Sequence, residues 1–389
     1  MNQRPSMAQP EPSAPLEVEA DAGHAEGHSG DPGEVIMRIL RAVTKLGASD
    51  VHLRAGAPPI VRLEGDLRPL NHPPLGAGVV HAAAMALAEG AGVEPEKMRR
   101  TQHDFSCVLP DAGRFRAHMY RQSASTALVL RRIQDPIPDF ATLRLPAVVK
   151  RIALADRGLV LVVGATGNGK STTIAAMLDF INQTTSKHVV TCEDPAEFIF
   201  RDQLSTFSQR EVGRDVDSFE QGLHGALRED PDVMFIGEVR TAEAVETALN
   251  AAESGRLVIT TSHAADAART IQRLINMVPQ DFRESARGRI ADVLVAVVAQ
   301  RLVQRRNARQ RILCTEVMMG SPTVKDCIRD PTRFRGINAA IEAGTHEYGS
   351  HTFDQMLLAM VRDQLITPET AQVAATSPSD LMRNLKVMR

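Results

Sequence analysis

The sequence predicts an α/β chain in which a domain of alternating strands and helices follows a small α+β domain, and three observations carry that reading. The first is the apolar run LVLVV at 159–163, which leads straight into Gly164-Ala165-Thr166-Gly167-Asn168-Gly169-Lys170-Ser171. A buried strand, a glycine-rich turn and a helix are the context that this G-x-x-x-x-G-K-[ST] spacing requires. The second is the recurrence of strand-like segments at 159–164, 188–193, 233–236 and 257–262 with helical patterns between them, the signature of a parallel βαβ sheet. The third is a set of short alternating or apolar segments at 49–54, 59–64 and 126–133, with Gly65-Asp66 as a turn signal.

Residues 1–33 are rich in Pro, Ala, Gly, Glu and Asp, and after Met7 their only large aliphatic residues are Leu16 and Val18. They are expected to form a disordered arm. From Glu34 onward Val35, Ile36, Ile39, Leu40 and Val43 repeat at helical spacing, and Gly47 supplies a stop. This helix opens an α+β domain over residues 34–138. The stretch Gln134-Asp135-Pro136-Ile137-Pro138 reads as a proline-stiffened linker, and the βαβ domain occupies 139–389. Within it Ser218-x-x-Gln221 has capping-box spacing ahead of Leu223 and Leu227, and Thr241 opens an Ala-rich helix that Gly255 can close. After Pro279 the pattern is mainly helical, interrupted by a hairpin near 300–316, with a helical region from about 320.

A chain of 389 residues with 43% hydrophobic content can build two or three domains with a sizeable core. Its 45 Lys+Arg against 47 Asp+Glu leave a formal charge of -2, which gives no support to general polyanion binding. Cys107, Cys192, Cys314 and Cys327 are scattered without a C-x-x-C pair, so they read as free, buried thiols in a reducing compartment. No stretch approaches the ~18 continuous apolar residues of a membrane span. A cytoplasmic protein that meets membrane only through partners is therefore expected.

The chemistry begins at the P-loop. Backbone N–H groups of the glycine-rich turn and the positive end of the following helix form an anion pocket that suits a triphosphate. Gly164, Ala165, Thr166, Gly167, Asn168, Gly169, Lys170, Ser171 and Thr172 are the candidate nucleotide-binding residues, with Lys170 reaching the β- and γ-phosphates and Ser171 ligating magnesium. A second apolar strand ends in Glu193-Asp194-Pro195-Ala196-Glu197. Carboxylates there can orient or deprotonate an attacking water, or simply favour a helix N-terminus. The run Val233-Met234-Phe235-Ile236-Gly237-Glu238 resembles a Walker B element whose Glu238 supports magnesium. His263, just past Val258-Ile259-Thr260-Thr261-Ser262, is either structural or a γ-phosphate sensor.

These elements, in this order, resemble the secretion-type ATPases of the type IV pilus, specifically the PilT/PilU retraction branch. The resemblance also rests on Ala48-Ser49-Asp50-Val51-His52-Leu53-Arg54-Ala55-Gly56, Gly65-Asp66-Leu67-Arg68-Pro69-Leu70 and Gly113-Arg114-Phe115-Arg116 in the first domain. In the second it adds Gln209-Arg210-Glu211-Val212-Gly213 and Ala226-Leu227-Arg228-Glu229-Asp230-Pro231-Asp232. It implies a RecA-like P-loop core preceded by a PAS-like domain, and ATP with Mg2+ as cofactors. It implies that Glu197 polarises the attacking water, Glu238 is the Walker B acid and His263 senses the γ-phosphate.

Such enzymes are hexameric rings, so the resemblance further implies a homohexamer in which N-terminal arginines reach a neighbour's nucleotide. Arg114, Arg116, Arg121, Arg131 and Arg132 lie in that region, and Arg121 and Arg132 are the preferred candidates. The expected function is a motor powering pilus retraction and twitching motility, as the main motor or as an accessory to a paralogous retraction ATPase. Its implied location is the cytoplasmic face of the inner membrane, on a pilus platform protein. The alternatives are a pilus assembly or type II secretion ATPase, which typically carries a tetracysteine insert, and a RecA-like nucleic-acid translocase using the basic cluster Arg301, Arg305, Arg306, Arg309 and Arg311. Three departures from the branch stand out: Ser262 and Ala264 around the histidine, and Thr323-Val324-Lys325-Asp326-Cys327 where the branch carries AIRNL. That last stretch is expected to be a weakened docking surface, having lost a leucine.

Overall fold

The structure, a computed structural model, describes residues 16, 32–63, 65–98, 101–133, 136–307 and 310–387. The chain divides into two compact units, Met1–Asp135 and Pro136–Arg389. Most of the expected arm, linker residues Gln134 and Asp135, and Arg309 lie outside the described residues.

In the first unit the helix expected from Glu34 runs Pro32–Lys45, burying Ile36, Ile39, Leu40 and Val43, and Gly47 follows it in the left-handed region at φ 73. Six strands follow: β1 (Asp50–Arg54), β2 (Ile60–Leu63), β3 (Asp66–Pro69), β4 (Gln102–Leu109), β5 (Gly113–Gln122) and β6 (Ser125–Ile133). They form one antiparallel sheet in the order β3-β2-β1-β6-β5-β4. Helix Ala77–Gly90 shares the core with Val51, Leu53, Phe115, Leu128 and Leu130. Strand β5 carries a strict period-2 signal, with Phe115, Ala117 and Met119 buried between more exposed Arg114, Arg116, His118 and Tyr120. That alternation predicts a half-buried strand by the same rule as its neighbours.

Leu16, inside the segment expected to be a disordered arm, is docked. Its N–H donates to Pro69 O at 3.0 Å, Asn71 N donates to its carbonyl at 2.9 Å, and its half-buried side chain packs against the first unit's core. Deleting residues 2–30 is expected to cost about 1 kcal/mol, the value of one partly buried leucine. A thermal unfolding scan should show a melting temperature a few degrees lower.

The second unit holds β7 (Gly158–Val163), β8 (His188–Glu193), β9 (Thr206–Glu211), β10 (Val233–Ile236), β11 (Leu257–Ser262), β12 (Leu294–Gln304) and β13 (Arg311–Met319). Their order is β13-β12-β7-β11-β10-β8-β9, parallel throughout except for the β12–β13 hairpin. Every residue of β7 is buried, with Leu159, Leu161 and Val163 in one core layer and Val160 and Val162 in the other. Helices cover both faces, as a parallel sheet demands. Thr241 caps its helix by accepting from Ala244 N at 3.2 Å, and Ser218 accepts from Gln221 N at 3.2 Å. The Gln221 side chain accepts from Asp217 N rather than Ser218 N, so the reciprocal half of the expected box is displaced by one residue.

Three expectations need correction. The hairpin expected near 300–316 starts at Leu294, because Val293-Leu294-Val295-Ala296-Val297-Val298-Ala299 is an unbroken apolar run that periodicity cannot separate from a helix. Arg301, counted in the basic cluster that a translocase would use, is committed within the fold: its guanidinium lies 3.8 Å above the Phe353 ring centroid and donates to Ala374 O at 2.5 Å. The 323–327 stretch lies within helix Pro322–Arg329, where Cys327 is 4% exposed in the core and Lys325 Nζ donates to Asp292 O at 3.0 Å. Cysteine in place of leucine there changes core packing, not a docking surface.

Candidate active site

Parallel pairing of β7, β11, β10 and β8 aligns their C-terminal ends, so the P-loop, His263, Glu238 and the acidic stretch emerge along one sheet edge. Gly164 opens the P-loop at φ 148, where a Cβ would sit 2.5 Å from Gln300 O. Gly167 and Gly169 are left-handed at φ 79 and 80, and Gly169 starts helix Lys170–Thr184. Ala165, Thr166 and Gly167 are exposed, while Asn168, Ser171 and Thr172 are half-buried.

Gly164→Ala meets both forbidden backbone and the β12 carbonyl, so it is expected to cost more than about 2 kcal/mol and to abolish nucleotide binding. Gly167→Ala, with nothing within 4 Å of its added Cβ, should cost less. Denaturant midpoints of the two variants check the difference.

Lys170 is 9% exposed, and its Nζ donates to Gly164 O at 2.9 Å, Ala165 O at 3.3 Å and His263 Nδ1 at 3.4 Å. Burial holds its pKa below the usual lysine value, opposed by the charges of Glu238 and Glu197. An ammonium only donates, so His263 accepts at Nδ1, and the neutral Nε2–H tautomer follows. That Nε2 stands 3.3 Å from Glu238 Oε2. The same Oε2 of Glu238, whose side chain is 13% exposed, also accepts from Arg240, at 2.7 Å from Nη2 and 2.8 Å from Nε. A continuous polar chain thus runs Lys170, His263, Glu238, Arg240.

The acidic stretch separates into different environments. Glu193 is 7% exposed and accepts from Thr191 Oγ1 at 2.8 Å and Gln209 Nε2 at 3.5 Å, so its carboxylate is tied within the fold. Asp194 is exposed. Glu197 is half-buried, and its charge acts on Lys170. In the first unit Arg121 is exposed with Nη1 3.5 Å from Thr126 Oγ1, while Arg132 is half-buried and donates to Thr44 O at 3.3 Å.

Arg240, Asn168 and Gln300 were not legible as partners in the sequence. Asn168 Nδ2 donates to Gln300 O at 3.1 Å and its Oδ1 accepts from Leu302 N at 3.4 Å, lashing the P-loop to β12. Gln300 Nε2 donates to Thr173 Oγ1 at 2.7 Å. Ser262, the departure beside His263, is 1% exposed with an unpartnered Oγ. Only the Glu238-x-Arg240 spacing carried a signal, since alternate residues of an extended segment share a side.

A glycine-rich phosphate cradle, a buried lysine and two carboxylates on the edge of a parallel RecA-like sheet define a P-loop ATPase. More narrowly, the chain belongs to the family of type II/IV secretion system proteins, whose model matches residues 29–345. It is 37% identical over 350 residues to the type IV pilus retraction ATPase PilT of Pseudomonas aeruginosa, covering 89% of this chain and 99% of that protein. With the type IV pilus ATPase PilU of the same organism it shares 36% identity over 355 residues, 90% of this chain and 91% of the other. The crystal structure of the pilus retraction motor PilT with bound ADP matches with a TM-score of 0.82 at 38% identity, covering 90% of this chain and 99% of that one.

Proposed function

We propose that the protein is a hexameric, Mg2+-dependent ATPase that powers retraction of a type IV pilus. The polar chain from Lys170 through His263 to Glu238 carries the reading, because it sets a phosphate-binding cation, a neutral imidazole and a carboxylate side by side at the P-loop. Lys170, the P-loop N–H groups and the helix N-terminus hold the β- and γ-phosphates. Once Lys170 turns to the phosphates, His263 Nδ1 takes a proton from solvent and donates to a γ-phosphate oxygen while Nε2–H stays on Glu238, so the imidazole reports the phosphate to that carboxylate. Glu197, free of the Arg240 and His263 contacts that occupy Glu238, accepts the proton of the attacking water.

The Ser171 hydroxyl and Glu238 are the donors that fit magnesium. The described residues hold no group of three or more His, Cys, Asp or Glu that could cage a metal, and magnesium is usually held by one or two side chains plus phosphates and water. Bound there, it would spread charge over the phosphate oxygens.

Arg121 and Arg132 act in trans on a neighbour's nucleotide in this proposal, and a cation so placed is worth about 10³–10⁵ in rate. Neither Arg121→Ala nor Lys170→Ala protein should turn over alone, yet mixing them should recover part of the activity at shared interfaces. No recovery in mixed rings would refute action in trans.

The motor would work on an inner-membrane platform protein, alone or beside a paralogous retraction ATPase, with membrane contact only through partners. No described helix is long and apolar enough to cross a membrane. The four buried, free cysteines do not form the tetracysteine site of assembly motors. No nucleic acid takes part, so added DNA should leave hydrolysis unchanged. Gene deletion is the test of direction: retraction predicts excess surface pili without twitching, and loss of pili would mean assembly.

A further inference from the structure

Glu316, on β13, is a charged side chain only 4% exposed and outside the chemistry described above. Its Oε1 accepts from Ala267 N at 2.8 Å, and its carboxylate also accepts from the Phe353 N–H. Both donors are the first residues of helices, Ala267–Met277 and Phe353–Arg362. Two positive helix ends therefore converge on one buried carboxylate, while Arg301 lies over the Phe353 ring instead of pairing with it. Burial and the neighbouring Asp266 charge push the Glu316 pKa up, and the two N–H donors oppose them.

Ala267 begins its helix four residues after His263, at the end of a short loop. Phe353 is fully buried in the core beneath the C-terminal helices. We propose that Glu316 is a positioning residue for His263: by binding both helix N-termini it sets the His263 loop from the C-terminal helical region, so that those helices report on, and bias, the nucleotide site. The proposal rests on the reading of His263 as part of that site. It gives the helical region beyond β13 a defined mechanical route to the γ-phosphate position.

The test is a double-mutant cycle on the full-length protein, with kcat and KM for ATP from steady-state hydrolysis. Glu316→Gln keeps the side-chain shape but offers one acceptor oxygen to two donors. It is expected to lower kcat about tenfold with KM within about twofold, and to have no further effect in a His263→Ala background. Wild-type kcat in Glu316→Gln, or the same tenfold loss in both backgrounds, would overturn the proposal. Wild-type turnover in His263→Ala alone would overturn the reading of His263, and the proposal with it. Should Glu316→Gln yield no folded protein, Ala267→Pro decides. Proline is accepted at the first helical position and Asp266 before it is already extended at φ -156 and ψ 173, while the N–H facing Glu316 is replaced by a ring methylene that pushes the carboxylate off this helix end. A fall in kcat at unchanged KM supports the proposal, and wild-type kcat overturns it.

Discussion

Lys170→Ala is expected to abolish ATP hydrolysis while leaving the protein folded. Lys170 is a buried residue whose Nζ lies against the P-loop carbonyls, so its attraction for phosphate is little screened by water. It is also the one cation that the P-loop motif itself supplies. Structural cost is confined to the two P-loop carbonyls that accept from Nζ, one of them on exposed Ala165. Phosphate release by the purified variant should fall to background, and turnover near that of the parent would remove this P-loop from the chemistry.

Glu197→Gln should cut kcat by about 10²–10⁴ at nearly constant KM, the usual value of a positioned general base. Glu238→Gln should behave differently. Glu238 is held by Arg240 and His263, and because the Arg240 side chain is solvent-accessible its loss is felt mainly as a misplaced imidazole and a lost metal donor. Its variant should raise the Mg2+ requirement together with KM. If Glu238→Gln alone lowers kcat at constant KM and Glu197→Gln does not, the two roles are reversed.

The strands that carry the site were readable because each has an apolar stretch, unbroken in β7 and β10 and shorter in β8 and β11, that leads to a chemically distinctive residue: Gly164, Glu193, Glu238 or His263. Strand β9, Thr-Phe-Ser-Gln-Arg-Glu, gave no such signal, since an edge strand need bury little. Thr191 and Glu193 share a strand face, which lets Thr191 Oγ1 donate to the Glu193 carboxylate and ties that acid within the fold. Glu197 follows the irregular stretch after β8, where no periodicity sets a direction. The Asn168 clamp joins residues 132 and 134 positions apart, and the Glu316 contact spans 49, so neither was visible to local patterning. Cys327 misled for a related reason: a single substitution inside a familiar motif says nothing of which face it occupies.

The most direct test of the central claim, that this P-loop site hydrolyses ATP with Glu197 activating the water, is the identity of nucleotide trapped on the enzyme. Glu197→Gln protein is incubated with labelled ATP and Mg2+, separated rapidly from free nucleotide and denatured. The account predicts that the bound label is recovered as ATP, whereas the parent protein yields ADP. Recovery of ADP from Glu197→Gln at the parent's rate would contradict it.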